Sequence, residues 1–142
     1  MTLSTIANPL AALAGYLRAI PELQAACGAR VFAQALPGQE APQMPRTAVV
    51  LRSSGGPGTP RNLPLLYVRL DAVSFGRTYL EADNLGWVVH AALNGLDRVE
   101  TGGTLLHALV SAGGPISVRD PDTEWPQVVS TWTLMAAEAV TP

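Results

Sequence analysis

The stretch from Pro64 to Asn94 constrains the fold more than any other part of the chain. Between Leu65 and Val73 the side chains alternate. Leu66, Val68, Leu70 and Ala72 fall on one face, and Tyr67, Arg69, Asp71 and Val73 on the other. A period of two predicts a strand with one face against a core. Ser74-Phe75-Gly76 ends the alternation, and from Arg77 onward Ala82, Leu85, Val89 and Leu93 recur at three- and four-residue spacing, which predicts a helix. Asn94-Gly95 is a common way for a helix to stop. A strand that feeds a helix folding back on its own sheet supplies two layers of one core.

The remaining elements can be placed around this pair. Asn8-Pro9 reads as N-cap and first helical residue, followed by an apolar stripe of Leu10, Leu13, Ala14 and Leu17. Pro21 ends that helix and opens a short second one over Glu22–Cys27, which Gly28 caps. Val31–Ala33 is a short strand, and the proline-rich run Leu36–Pro45 is a loop. Thr47–Arg52 is an almost wholly apolar strand, the pattern of burial on both faces. Ser53–Asn62, rich in glycine and proline, is expected to be a long, flexible hairpin loop. Past the helix, Asp97–Thr101 and Thr104–Ser111 are strand candidates, Gly113-Gly114-Pro115 is expected to break the second, and Ile116–Arg119 is a short extended piece. Asp120–Thr123 is a turn, and Gln127–Ala137 is a closing strand with Val128, Trp132 and Leu134 on one face. The order expected is α-α-β-β-β-α-β-β. The fold class is α+β, a mostly antiparallel β-sheet with an N-terminal helix and one long central helix packed on one face, in a single domain over 1–142.

Composition narrows the chemistry. The chain has 142 residues, a net charge of −2 and only 14% charged residues, without the basic patch of a nucleic-acid reader. All nine basic residues are arginine, so phosphate-loop, Schiff-base and kinase-type lysine chemistry is excluded. Cys27 is the single cysteine, which rules out an internal disulfide and predicts a reducing compartment. No signal peptide and no membrane-spanning run is expected.

Ala72-Val73-Ser74-Phe75-Gly76 approximates a nucleophile elbow between strand and helix, with His90 or His107 and Asp97 as conceivable partners. Ser74 as a helix cap is the plainer reading, and substituting it then costs about 0.5–2 kcal/mol. Asp120, Asp122 and Glu124 lack the ligand number and central glycine of a calcium loop, and the histidines have no neighbours at metal-ligand spacing. No cofactor or metal site is expected. A small-ligand module with a cavity between sheet and helix is a further class. Tyr67, Arg69 and Asp71 alternate on the strand face away from the helices, a face that is solvated in a monomer and contact or pore surface in an oligomer.

Taken in order, the N-terminal helix, Gly28-Ala29-Arg30-Val31-Phe32, Ala35-Leu36-Pro37, the strand from Pro45 to Leu51, the alternating strand ending in Ser74 and Arg119-Asp120-Pro121-Asp122 before Trp125 resemble the tail-terminator (tail-completion, or tail-to-head joining) proteins of long-tailed bacteriophages. The resemblance spans Leu10–Ala137. It implies a structural, non-catalytic virion protein made in the bacterial cytoplasm. Such a protein forms a homo-hexameric ring on the last ring of the tail tube protein, ends tube growth and offers a docking surface to the head–tail connector protein. DNA passes through its lumen without specific binding, and no membrane is involved. Another neck or head-completion protein of similar fold is the alternative. On this resemblance the candidate assembly interface comprises Arg52, Arg61, Tyr67, Arg69, Asp71, Arg119, Asp120 and Asp122, with the segments Ser53–Asn62 and Ala112–Trp125 meeting neighbouring subunits or the tube.

Overall fold

The computed structural model describes residues 8–58, 65–101, 103–119 and 121–138. Three helices, α1 (Pro9–Arg18), α2 (Pro21–Cys27) and α3 (Tyr79–Asn94), pack on a sheet of six strands. The strands are β1 (Val31–Ala33), β2 (Ala48–Gly58), β3 (Leu65–Phe75), β4 (Val99–Thr101), β5 (Thr104–Arg119) and β6 (Pro126–Glu138), in the spatial order β1-β2-β3-β6-β5-β4. Among the described residues, only β1 runs parallel to its neighbour; the other pairs are antiparallel. The α+β class is as expected, with one strand more after α3.

Local chemistry explains where the helices begin. The Asn8 side chain accepts from the backbone N–H groups of Leu10 and Ala11, and Pro9 fills the first helical position. Helix α3 starts at Tyr79, two residues later than expected, and its cap is Thr78, whose hydroxyl accepts from the Glu81 N–H at 3.2 Å. The Glu81 carboxylate in turn accepts from the Arg77 N–H. This corrects the assignment of Ser74 as the cap: Ser74 lies inside β3 and is buried. The Thr78…Glu81 spacing is itself a capping signal legible in the sequence.

The alternation in β3 is realised. Leu70 and Ala72 join α1, α2 and α3 in the main core, with Val49, Leu51, Leu106, Trp132 and Leu134 from neighbouring strands. Helix α3 approaches the sheet closely at Gly86, where a Cβ would stand 3.0 Å from Val128 Cγ1. The opposite sheet face carries a second, smaller core of Ala48, Val50, Val73 and Phe75, covered by Phe32, Leu36, Met44 and Trp125. The four residues Ala48–Leu51 are therefore buried from both sides, as their apolar run predicts.

Two segments expected to be irregular are strands. Ser53–Gly58 continues β2, pairing Ser53 with Leu70, Gly55 with Arg69 and Gly58 with Tyr67 through two register shifts. The flexible-loop assignment of 53–62 is thus corrected for 53–58, and 59–62 lie outside the described residues. Gly113-Gly114-Pro115 does not end β5 but is absorbed as irregularities between Ser111, Gly113 and Ile116. Glycine and proline discourage a strand locally, yet in both places a neighbouring strand supplies a ladder, and bulges accommodate the residues that do not fit it. A further shift between Leu106 and Ala108 changes the parity of β5, so Leu106 and Leu109 share the main core instead of lying on opposite faces.

Candidate assembly interface

The sheet face away from the helices divides into two zones. Toward Phe75 it is covered by the second core. Beyond Val73 the same face continues through Asp71, Arg69 and Tyr67 on β3, and cross-strand register puts Arg52 opposite Asp71. On the other side, Asp71, Arg69 and Tyr67 face Thr131, Thr133 and Met135 of β6. The Thr131 hydroxyl donates to Asp71 Oδ1 at 2.9 Å, which fixes the carboxylate on this surface. Arg52 and Arg69 are exposed, and Tyr67 and Asp71 half-buried. Four of the expected residues are therefore brought together by the fold.

The others are elsewhere. Arg119 ends β5 at the far end of the sheet, where its guanidinium meets Glu124 at 2.7 Å in an exposed ion pair. Asp122 sits in the adjoining turn and is exposed. Arg61 and Asp120 lie outside the described residues.

Strand β5 contributes a feature that sequence reasoning missed. Val110, Ile116 and Val118 are 58%, 63% and 37% exposed. Their partners Thr133, Val129 and Gln127 in turn pair with Arg69, Val73 and Phe75, so all three lie on the face away from the helices. The alternation Ile116-Ser117-Val118-Arg119 carries the signal for two of them, in a segment expected only as a short extended piece beyond a break at Gly113-Gly114-Pro115.

A second polar cluster is structural. Arg46 Nε and Nη2 donate to Glu40 Oε1 and Oε2 at 2.6 and 2.9 Å, a two-pronged pairing. The hydrogen bond from Arg46 holds the Glu40 carboxyl below the usual carboxylate range, against the opposing effect of burial. The pair braces the 34–47 segment that covers the second core. Arg30 donates to the Thr47 carbonyl and hydroxyl at 2.6 and 2.8 Å alongside it.

The elbow at Ser74 has no reach to a substrate. The residue is 1% exposed and lies beneath α3, with its hydroxyl 3.9 Å from where a Gly86 Cβ would stand. His90 is packed between Trp87 and Trp132, with ring centroids 5.4 and 5.0 Å away. Among the described residues, no group of three or more His, Cys, Asp or Glu is gathered into a metal-binding arrangement, and no helix is long and apolar enough to cross a membrane. A cleft of about 480 Å³ lies between α2 and α3, bordered by Ile20, Trp87 and Ala91. It is placed between helices and not between helix and sheet, where a small-ligand module was expected to have its cavity.

No protein family's profile matches this chain, and no curated protein matches it. A chain in the solved structure titled "Virion of native gene transfer agent (GTA) particle" has a similar fold, with a TM-score of 0.69 and 19% sequence identity. The likeness covers 91% of this chain and 94% of the other.

Proposed function

We propose that this chain is a structural, non-catalytic virion protein. Its role is to form a ring on the end of a tail tube, end tube growth and present the docking surface for a head–tail connector. The observation that carries this reading is the fold shared, over nearly the whole of both chains, with a component of a virion particle. The order of sequence features that resembles the tail terminators points the same way. The exposed face holding Arg52, Tyr67, Arg69 and Asp71 supplies a surface for subunit contact or for the lumen. In such a ring DNA passes without being read, which suits a chain of net charge −2.

The test is sedimentation over a wide concentration range, with negative-stain imaging of the same samples alone and with purified tail tubes. Sixfold rings, or caps on tube ends that stop tube extension, are the expected result. A protein that stays monomeric and leaves tube growth unchanged would overturn the proposal. A ring that binds connector but not tube would assign the chain to the head side of the neck.

A further inference from the structure

The two edge strands of the sheet, β1 and β4, are short and leave much of β2 and β5 uncovered. At the β1 edge the chain closes itself. The Val31 carbonyl accepts from the Arg18 guanidinium, the Val31 N–H donates to Ala29, and the Ala33 carbonyl accepts from the Ala35 N–H. Such capping is how a sheet edge is withdrawn from further pairing. But β1 pairs with β2 only as far as Leu51. Among the described residues no strand flanks the outer side of β2 from Ser53 to Gly58, although the Ser53 N–H donates to the Gln34 side chain at 3.4 Å. At the other edge, β4 covers β5 only from Thr104 to Leu106, and the Arg98 N–H reaches the His107 carbonyl. From there to Arg119 the outer side of β5 has no strand beside it among the described residues. Val110 through Gly114 and Ile116 through Arg119 are exposed.

We propose that β2 and β5 pair antiparallel between two copies of this chain, Arg52–Gly55 of one against Ile116–Val118 of the next. This deepens the ring reading and rests on it. Direction is the first argument. Each of the three ladders between β2 and β5 is antiparallel, so β2 and β5 run in opposite senses. A neighbour placed in the same orientation therefore presents an antiparallel partner. The contact is head-to-tail, the type that closes into rings.

Level is the second argument. Through the ladder, Ile116 lies level with Val129, Val73 and Val50. There, β1 blocks the outer side of β2. The neighbour must slide along the strands until its Ile116 clears β1 and faces Gly55. On β3, Val50 lies level with Val73 and Gly55 with Arg69, so that slide is about four residues, or roughly 13–14 Å, while the repeat of four strands is roughly 19 Å wide. The two lengths set the strands about 35° from the ring axis, at the lower end of the range of roughly 35–45° at which sheets close on themselves. Every subunit then keeps its helices on one side of the wall. Arg52, Tyr67, Arg69, Val110, Ile116 and Val118 form one surface on the other.

In this register Ser54 faces Ser117 of the neighbour, and both are exposed. Within one chain they are three strand spacings apart, roughly 14 Å, too far for a disulfide. Cys27 is buried and stays in place. S54C and S117C proteins, mixed under assembly conditions with purified tail tubes and mildly oxidised, should give a mixed disulfide dimer that neither variant gives alone. The S54C/S117C double variant should give a ladder of bands ending at the ring. Rings seen by negative stain without cross-links, from this pair or from S53C with S117C, would overturn the edge pairing and leave the ring reading standing. Dimers of a single variant with itself would mean a two-fold contact and overturn it too. Absence of rings and of cross-links, with or without tubes, would overturn both.

Discussion

At Gly76 β3 hands over to α3, and space there excludes any side chain. A Cβ would stand 2.5 Å from the Ala82 backbone nitrogen and 3.0 Å from two atoms of Glu81. The Gly76 N–H also donates to the Pro126 carbonyl, tying the turn to β6. Gly76→Ala should therefore displace the first turn of α3 and cost about 1–3 kcal/mol, measured as a drop in the denaturant midpoint. Thr78→Ala, which removes the true cap, should cost about 1 kcal/mol. Ser74→Ala should not show a capping loss, because Ser74 does not cap. Glu40 makes a pH-dependent contribution. Its carboxyl is held below the usual range by Arg46, so its stabilisation is present above the unfolded-state value and is lost as pH falls through the lower folded value. Glu40→Gln should lower the thermal midpoint at neutral pH, and the gap to the unmodified protein should narrow as the pH is taken below the usual carboxylate range. An equal gap at both pH values would remove the ion pair as the cause.

At the scale of elements, α3 is held by the face it turns to the sheet. Ala82, Leu85, Val89 and Leu93 are all buried, the last three in the main core, and fully burying such a leucine or valine contributes about 1.5–3 kcal/mol. Val89→Asp would place an unpaired charge at a fully buried position and should leave the protein insoluble or unfolded. A folded variant, seen by near-ultraviolet circular dichroism, would contradict this packing. The outward side of α3 is unusually apolar, with Leu80 at 69% and Trp87 at 54% exposure. The periodic residues of α3, the cap and stripe of α1, and β1 with its bounds were all legible in the sequence, because each depends on neighbours within four residues. The true length of β2 and β5 was not, since Gly55, Gly58 and Gly113 follow ladders set by β3 and β6.

At the scale of the whole molecule, the exposed sheet face should matter for assembly and not for folding. Arg69→Glu and Asp71→Arg should leave the secondary structure and monomer stability near those of the unmodified protein, because neither residue belongs to either core. Both should weaken ring formation, read by sedimentation. Unimpaired assembly of both variants would show that this face is not a subunit contact. Of the expected interface, Tyr67, Arg69 and Asp71 could be grouped from their spacing alone, whereas Arg52 joined them through cross-strand register and Arg119 was left at the opposite end of the sheet. The sequence by itself determined the local elements and which face of each is apolar, since periods of 2 and 3.6 are written in near neighbours. Only the tertiary structure decided that glycine-rich segments become strands and that Trp125 and Met44 build a second core. It also decided that β1 caps itself while, among the described residues, no strand covers β2 beyond Leu51 or β5 beyond Leu106 on their outer sides. These outcomes depend on which distant strand supplies the hydrogen bonds, and the order β1-β2-β3-β6-β5-β4 is a property of long-range pairing that no local pattern encodes.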